Sequence, residues 1–261
     1  MFAIYLVIGA LSGTLAGMLG IGGGVIVVPA LAFVFAHFNL MPASLVMQMA
    51  IGTSLAAMIV TLISALRAHS LRGNVRLDLV KMLLPGLIVG AILGALIAHK
   101  LPSYYLKIFF SLFLFFMSGR LLLAIQQEEV RKMPSRFSMM GVATGIGTLS
   151  SILGAGGGLL MIPFILRCRA SMHQAAGTSV ACGVGAGIVA TLSFMFLGMS
   201  NVVIKDSTGY IYWPAFFGVA LASMLFAPIG TAVAHKLPAS VLRRVLGIFL
   251  LLVAIDMLLT H

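Results

Sequence analysis

Charge is scarce in this chain: 8% of its 261 residues are charged, and only five are acidic. A water-soluble fold of this length needs a polar exterior, which 61% apolar residues and a mean hydropathy of +1.18 cannot supply. Cysteine is scarce as well. Cys168 and Cys182 are too few for a disulfide framework, lie in or beside apolar segments, and carry no message about redox compartment. The acids are badly placed for catalysis or proton relay. Glu128, Glu129 and Asp206 fall in polar loops, Asp78 sits at a helix start where it complements the dipole, and Asp256 lies near the end of the last helix. No histidine, including His99, His173 and His235, has metal-ligand spacing to another ligand. The glycine runs lack the Gly-Lys-Ser/Thr ending of a nucleotide-binding loop. Ser54 and Ser179 have no His or Lys partner at helical spacing. Together these absences exclude an enzyme and a cofactor from the expectation. The stretch from Phe2 to Leu19 lacks a basic leader and an A-x-A-like cleavage site, so it reads as structure and not as a removed signal.

What is present is a succession of apolar runs about 20 residues long, the length that crosses a bilayer. Short polar stretches separate them: Arg67 to Arg76, Gln126 to Arg136 and Asn201 to Gly209. The net charge of +11 is scattered over these loops and not gathered on one face, which is membrane topology signalling and not nucleic-acid binding. The expected partners are the lipid bilayer and a small anion; a homodimer is compatible with the sequence but not demanded by it.

The chain repeats itself. Gly20-Ile-Gly-Gly-Gly24, followed by Pro29, returns as Gly154-Ala-Gly-Gly-Gly158, followed by Pro163. Gly52-Thr53-Ser54 returns as Gly177-Thr178-Ser179. Gly94 and His99-Lys100-Leu101-Pro102 return as Gly230 and His235-Lys236-Leu237-Pro238, and Pro85 pairs in order with Pro214. A period near half the chain length is the signature of duplicated transporters. The predicted fold is therefore one all-α integral membrane domain over 1–261 made of two repeats, 1–125 and 138–261, joined by a cytoplasmic linker at 126–137. Each repeat is a glycine-broken segment plus three transmembrane helices. The first has 2 to 37 broken at 20 to 24, then 43 to 66, 77 to 98 and 104 to 125. The second has 138 to 167 broken at 154 to 158, then 173 to 198, 211 to 234 and 239 to 259.

Loop charges give the orientation. If each broken segment crosses once, the 16 Lys and Arg divide 9 against 7 between the two sides, which is no bias. If each returns to its own side, as a re-entrant or paired short helix, they divide thirteen against three. Arg67, Arg72 and Arg76 then face the cytoplasm, while the equivalent second-repeat loop carries only Lys205, opposed by Asp206. The expectation is inverted repeats with both termini on the non-cytoplasmic side.

A helix that starts inside a membrane leaves N–H groups without partners, and an anion is a natural acceptor for them. Glycine lets a ligand come close to such a start. The candidate substrate-binding residues are therefore Gly22, Gly23 and Gly24 before one half-helix and Gly156, Gly157 and Gly158 before the other. Gly52, Thr53, Ser54, Gly177, Thr178 and Ser179 join them, because hydroxyls bind an oxyanion without a buried charge. Two such termini entering from opposite sides would meet near the midplane. Arg120, inside an apolar segment, snorkels to the interface, and Cys182, one turn after Ser179, reads as a small buried side chain.

The two G-x-G-G-G-x4-P runs, each followed by Gly-Thr-Ser, resemble the sulfite exporter TauE/SafE family of membrane permeases over nearly the whole chain. The Arg72-Gly73-Asn74-Val75 turn fits the same pattern. The resemblance implies a bacterial cytoplasmic-membrane protein that moves sulfur oxyanions or organosulfonates, mostly outward. The expected function is a secondary transporter working by alternating access; an anion channel and a non-transporting scaffold subunit are the alternatives.

Overall fold

The computed structural model of the chain describes residues 1–19, 23–123, 135–155, 158–168, 170–200, 204–234 and 239–259. Within them the first copy forms α1 (Phe2–Leu19), α2 (Gly24–His37), α3 (Val46–Leu71), α4 (Leu77–Lys100) and α5 (Ser103–Leu122). The second forms α6 (Arg136–Ile152), α7 (Gly158–Arg167), α8 (Met172–Met199), α9 (Trp213–Ala234) and α10 (Ala239–Leu259). A two-stranded ribbon, β1 (Ser207–Thr208) and β2 (Ile211–Tyr212), precedes α9. Helices α3, α4, α5, α8 and most of α9 are long and apolar enough to cross a bilayer.

The expected segments match these helices except at particular ends. The helix expected over 43 to 66 continues to Leu71, and α6 begins at Arg136, inside the stretch expected as linker. Hydropathy ends a span where polar residues begin, but backbone hydrogen bonding carries the helix on through Arg67 and His69. Both broken segments become pairs of short helices. Pro29 in α2 and Pro163 in α7 stand at the same distance from their helix starts, each removing one backbone donor.

Apolar side chains cover the outside. Val89, Ile92, Leu93 and Leu96 of α4 and Leu112, Phe115 and Phe116 of α5 are all exposed. Continuous apolar faces of this size are stable against lipid and not against water.

The most extensive helix packing in the interior is between the copies, with α2 on α3 and α7 on α8 added within them. Helix α1 lies along α9, with Gly9 against Val219, Gly13 against Ser223 and Gly230 against Thr14. Helix α6 lies along α4, with Gly86 against Met140, Gly90 against Thr144 and Gly94 against Thr148. Numbers rise together in both pairs, so each pair is parallel. The Gly230–Thr14 and Gly94–Thr148 contacts are one contact with the copies exchanged. That register places Pro214 opposite Asp78, so the in-order pairing of Pro85 with Pro214 is corrected: the two prolines are not equivalent.

The central pair, α3 and α8, runs antiparallel. Gly52 near the start of α3 and Gly198 at the end of α8 both touch Tyr210. His69 near the end of α3 touches Gly177 near the start of α8, and Ile59 meets Gly187 midway. Helix α5 meets α10 where the Ser118 hydroxyl donates to the Gly247 carbonyl at 2.7 Å.

Small residues let these backbones approach, and that contact is the adhesive between helices in lipid. A Cβ at Gly230 would fall on the Thr14 carbonyl, whereas one at Gly141 meets nothing within 4 Å. Gly230→Ala should therefore cost about 1–3 kcal/mol of stability, and Gly141→Ala should be neutral. Comparable thermal melts for the two purified variants would remove the packing explanation.

Candidate functional site

The two Gly-Thr-Ser segments lie towards opposite ends of the central α3–α8 pair and are fully buried. Thr53, Ser54 and Thr178 have 0% exposure and Ser179 has 1%. Gly52 lies against the Tyr210 carbonyl, and the Thr53 hydroxyl oxygen accepts the Tyr212 N–H at 3.0 Å. Gly177 lies against the Asn74 carbonyl, and the Thr178 hydroxyl oxygen accepts the Arg76 N–H at 3.1 Å. Tyr212 and Arg76 are the residues immediately before α9 and α4. Each copy's threonine thus supplies an acceptor at a helix start in the other copy, where the backbone has none of its own.

The turns that present these N–H groups are also equivalent. Gly73 (φ 68°) and Gly209 (φ 57°) both occupy the left-handed region that glycine tolerates best. A fifth internal match, Gly73-Asn74-Val75 with Gly209-Tyr210-Ile211, stands at the same offset as Gly94 with Gly230. It was the available signal for this part of the centre. Sequence reading passes over it because only the glycine is identical and the loops differ in charge.

The two breaks meet. Gly24, the first residue of α2, packs against the Gly154 carbonyl and the Met58 sulfur. Gly154 itself has φ 60° and lies against Val28 and Ile51. The Ser54 hydroxyl donates to the Gly154 carbonyl at 3.2 Å. Its counterpart, the Ser179 hydroxyl, is buried and has no hydrogen-bond partner among the described residues, which do not include Gly20, the position equivalent to Gly154. Gly23 precedes α2 beside Ser12 and offers the helix start no side-chain cap. Gly158 opens α7. Gly22, Gly156 and Gly157 lie outside the described residues. The structure therefore brings Gly24, Ser54 and the second break together, and joins Gly52, Thr53, Gly177 and Thr178 to the starts of α9 and α4.

Two cavities flank α3 and α8. One is lined by Gly147, Met161, Cys182, Gly183 and Ala186 among others. The other is lined by Gly13, Val27, Ala57, Met58 and Thr61 among others. Taken in order, these are equivalent positions of the two copies. Both linings are dominated by apolar atoms. In the second cavity the Ser12, Thr61 and Ser223 hydroxyls each donate to a carbonyl of their own helix.

Several other polar groups are accounted for locally, while the Tyr5 hydroxyl, His69 Nδ1 and the Thr191 hydroxyl are, like Ser179, buried without a partner among the described residues. Asp78, in the first turn of α4, forms an exposed ion pair with Arg76. Arg120 lies in the last turn of α5. Cys168 and Cys182 are free and buried. His99 Nδ1 and the Tyr210 hydroxyl are 2.9 Å apart, tying the end of α4 to the ribbon turn. Tyr210→Phe removes that bond and keeps the carbonyl that Gly52 touches. It should cost about 1 kcal/mol and leave flux intact; loss of flux would give the hydroxyl a role in transport.

Comparison with known proteins extends over the same residues. A family model described as sulfite exporter TauE/SafE matches residues 5–257. A probable membrane transporter protein of Haemophilus influenzae is 34% identical over 257 residues, covering 97% of each chain. One of Methanocaldococcus jannaschii is 25% identical over 269 residues, covering 95% of each chain. The probable membrane transporter protein YunE of Bacillus subtilis is 24% identical over 277 residues, covering 98% of this chain and 97% of its own. No solved structure matches the chain.

Proposed function

The chain belongs to the sulfite exporter TauE/SafE family and is a membrane transporter, not an enzyme; from that premise we propose that it exports a small sulfur oxyanion or organosulfonate, with sulfite the first candidate. The observation that carries this reading is the meeting of the two breaks beside Ser54, with equivalent Gly-Thr-Ser segments engaging opposite copies towards the two ends of the antiparallel α3 and α8. Equivalent helices pointing opposite ways support inverted repeats, and inverted repeats supply two equal and opposite arrangements around one site, which alternating access requires. Of the residues that the repeat singles out for this site, the structure brings together Gly24, Ser54 and Gly154 of the second break.

Neutral donors suit the task. Helix-start N–H groups and hydroxyls stabilise a bound anion without a fixed positive charge that would hold it too tightly to release. Outward movement of one negative charge is favoured by about 2.3 kcal/mol per 100 mV of membrane potential, negative inside. Export by this route needs no proton-carrying acid pair. The thirteen-to-three division of Lys and Arg supports both termini facing away from the cytoplasm, in the cell membrane.

The test is radiolabelled sulfite flux in proteoliposomes. Saturable flux, competed by other sulfur oxyanions and accelerated by an interior-negative potential in the outward direction, is expected. Wild-type flux no greater than that of empty liposomes, with folded protein present, would reject the substrate assignment.

A further inference from the structure

The end of the molecule at which α1 begins is closed by aromatic rings, and the equivalent positions at the other end hold none. Resting on the alternating-access reading above, we propose that Tyr5, Phe35 and Tyr212 form the gate on that side of the anion's path, with the Tyr5 hydroxyl as the donor that meets the anion when the rings part.

The three rings come from three different elements. Tyr5 of α1 meets Tyr212 of β2 edge to face, with ring centres 6.4 Å apart, and Phe35 of α2 meets the same Tyr212 ring at 5.8 Å and 89°. Tyr5 is 1% exposed and Phe35 0%. Gly218 lets the Tyr5 backbone lie directly against α9, so Tyr5 belongs to the α1–α9 pair, whereas Phe35 rides on α2. The Tyr5 hydroxyl is buried and has no hydrogen-bond partner among the described residues. Closing the rings therefore strips a donor of water and gives it nothing in return, a cost that parting them removes. An oxyanion is the strongest acceptor such a hydroxyl can take.

The cluster is joined to the breaks by two routes. Helix α2 starts at Gly24, against the Gly154 carbonyl, and carries Phe35 about 16 Å further along its axis. A shift of α2 at the breaks is thus carried by a rigid element to the Phe35–Tyr212 contact. The second route is α3, where the Thr53 hydroxyl holds the Tyr212 N–H at 3.0 Å beside Ser54, which bonds Gly154. Neither route runs through a flexible loop.

The duplicated sequence shows that this arrangement belongs to one end alone. The register of Thr14 with Thr148 puts Met139 in the place of Tyr5, and that of Gly73 with Gly209 puts Arg76 in the place of Tyr212. Pro29 with Pro163 puts Arg169 in the place of Phe35; Arg169 lies outside the described residues. Two of the three rings thus become basic residues. A basic mouth draws anions in, and an aromatic seal at the opposite end holds back water and ions until α2 moves.

The experiment reads each face of membrane vesicles separately. In a Cys168→Ala/Cys182→Ala background, Ser54→Cys is labelled with a membrane-impermeant thiol reagent. Adding Phe35→Ala should raise the labelling rate about tenfold from the face at which α1 begins, and from that face alone. Phe33→Ala, which removes an exposed ring of the same helix, should leave it within about twofold. Tyr212→Leu serves where Phe35→Ala does not fold. Tyr5→Phe keeps the ring and should raise the half-saturating sulfite concentration about tenfold from the same face, leaving the opposite face unchanged. Wild-type labelling rates in Phe35→Ala and Tyr212→Leu, or equal rises from both faces, would overturn the gate. Unchanged half-saturation in Tyr5→Phe would overturn the donor. A wild type that moves no sulfite defeats the substrate reading and the donor with it, while the labelling, which needs no substrate, still decides the gate.

Discussion

In Gly24→Leu, transport should be absent and the melting temperature should fall by several degrees. A Cβ at this position would fall on the Gly154 carbonyl and against the Met58 sulfur. The sulfur ends a flexible side chain and can move; the carbonyl belongs to the backbone and cannot. Relief therefore requires the two breaks to separate, which also draws Gly154 away from the Ser54 hydroxyl. The expected cost is about 3 kcal/mol or more. Gly119→Leu is the matched control, because a Cβ there meets nothing within 4 Å. A thiol-reactive dye can follow unfolding through the buried Cys168 and Cys182. Normal flux in Gly24→Leu would mean that the contact between the breaks is dispensable.

The second large effect is expected from Thr53→Val/Thr178→Val. Valine keeps the shape of threonine and removes the oxygens that accept the Tyr212 and Arg76 N–H groups. Each loss leaves a helix-start donor unpaired, at about 1–3 kcal/mol. The two bonds also fix where α9 and α4 begin relative to the breaks, so sulfite flux should fall by about a hundredfold or more. Thr53→Ser/Thr178→Ser retains both oxygens and should restore most of the flux. Loss of flux in the serine pair equal to that in the valine pair would show that the methyl groups, and not the hydroxyls, matter.

The legible part of the fold is local in origin. Spans can be read because a helix in lipid must be apolar along its whole length, and both breaks can be read because glycine runs followed by Pro29 and Pro163 interrupt that pattern. The ribbon at residues 207 to 212 is not legible, since two residues per strand leave no periodicity to detect. The pairing of Pro85 with Pro214 shows a different failure. Matching prolines in order assumes loops of equal length, whereas the Thr14–Gly230 and Thr148–Gly94 contacts fix another register.

The candidate site divides in the same way. Gly-Thr-Ser is visible as a repeated motif, but nothing along the chain says that Thr53 serves Tyr212 or that Thr178 serves Arg76. Those partners are more than a hundred residues apart and in opposite copies. That the Ser54 hydroxyl reaches across the copies to the Gly154 carbonyl is equally silent along the chain.

The sequence by itself determined that this protein lives in a bilayer, that it is a duplicated bundle of helices with two internal breaks, and which family it resembles. Each follows from composition or short-range pattern, which hydrophobic transfer and backbone sterics convert directly into local structure. Only the tertiary structure decided which copy's threonine meets which helix start, that the breaks meet at Gly24 and Gly154, and that the Ser54 hydroxyl bonds the Gly154 carbonyl. Those outcomes depend on how the two copies dock. Docking is set by the close approach of small residues across α1–α9, α4–α6 and α3–α8, a property of paired surfaces that no single stretch of chain contains.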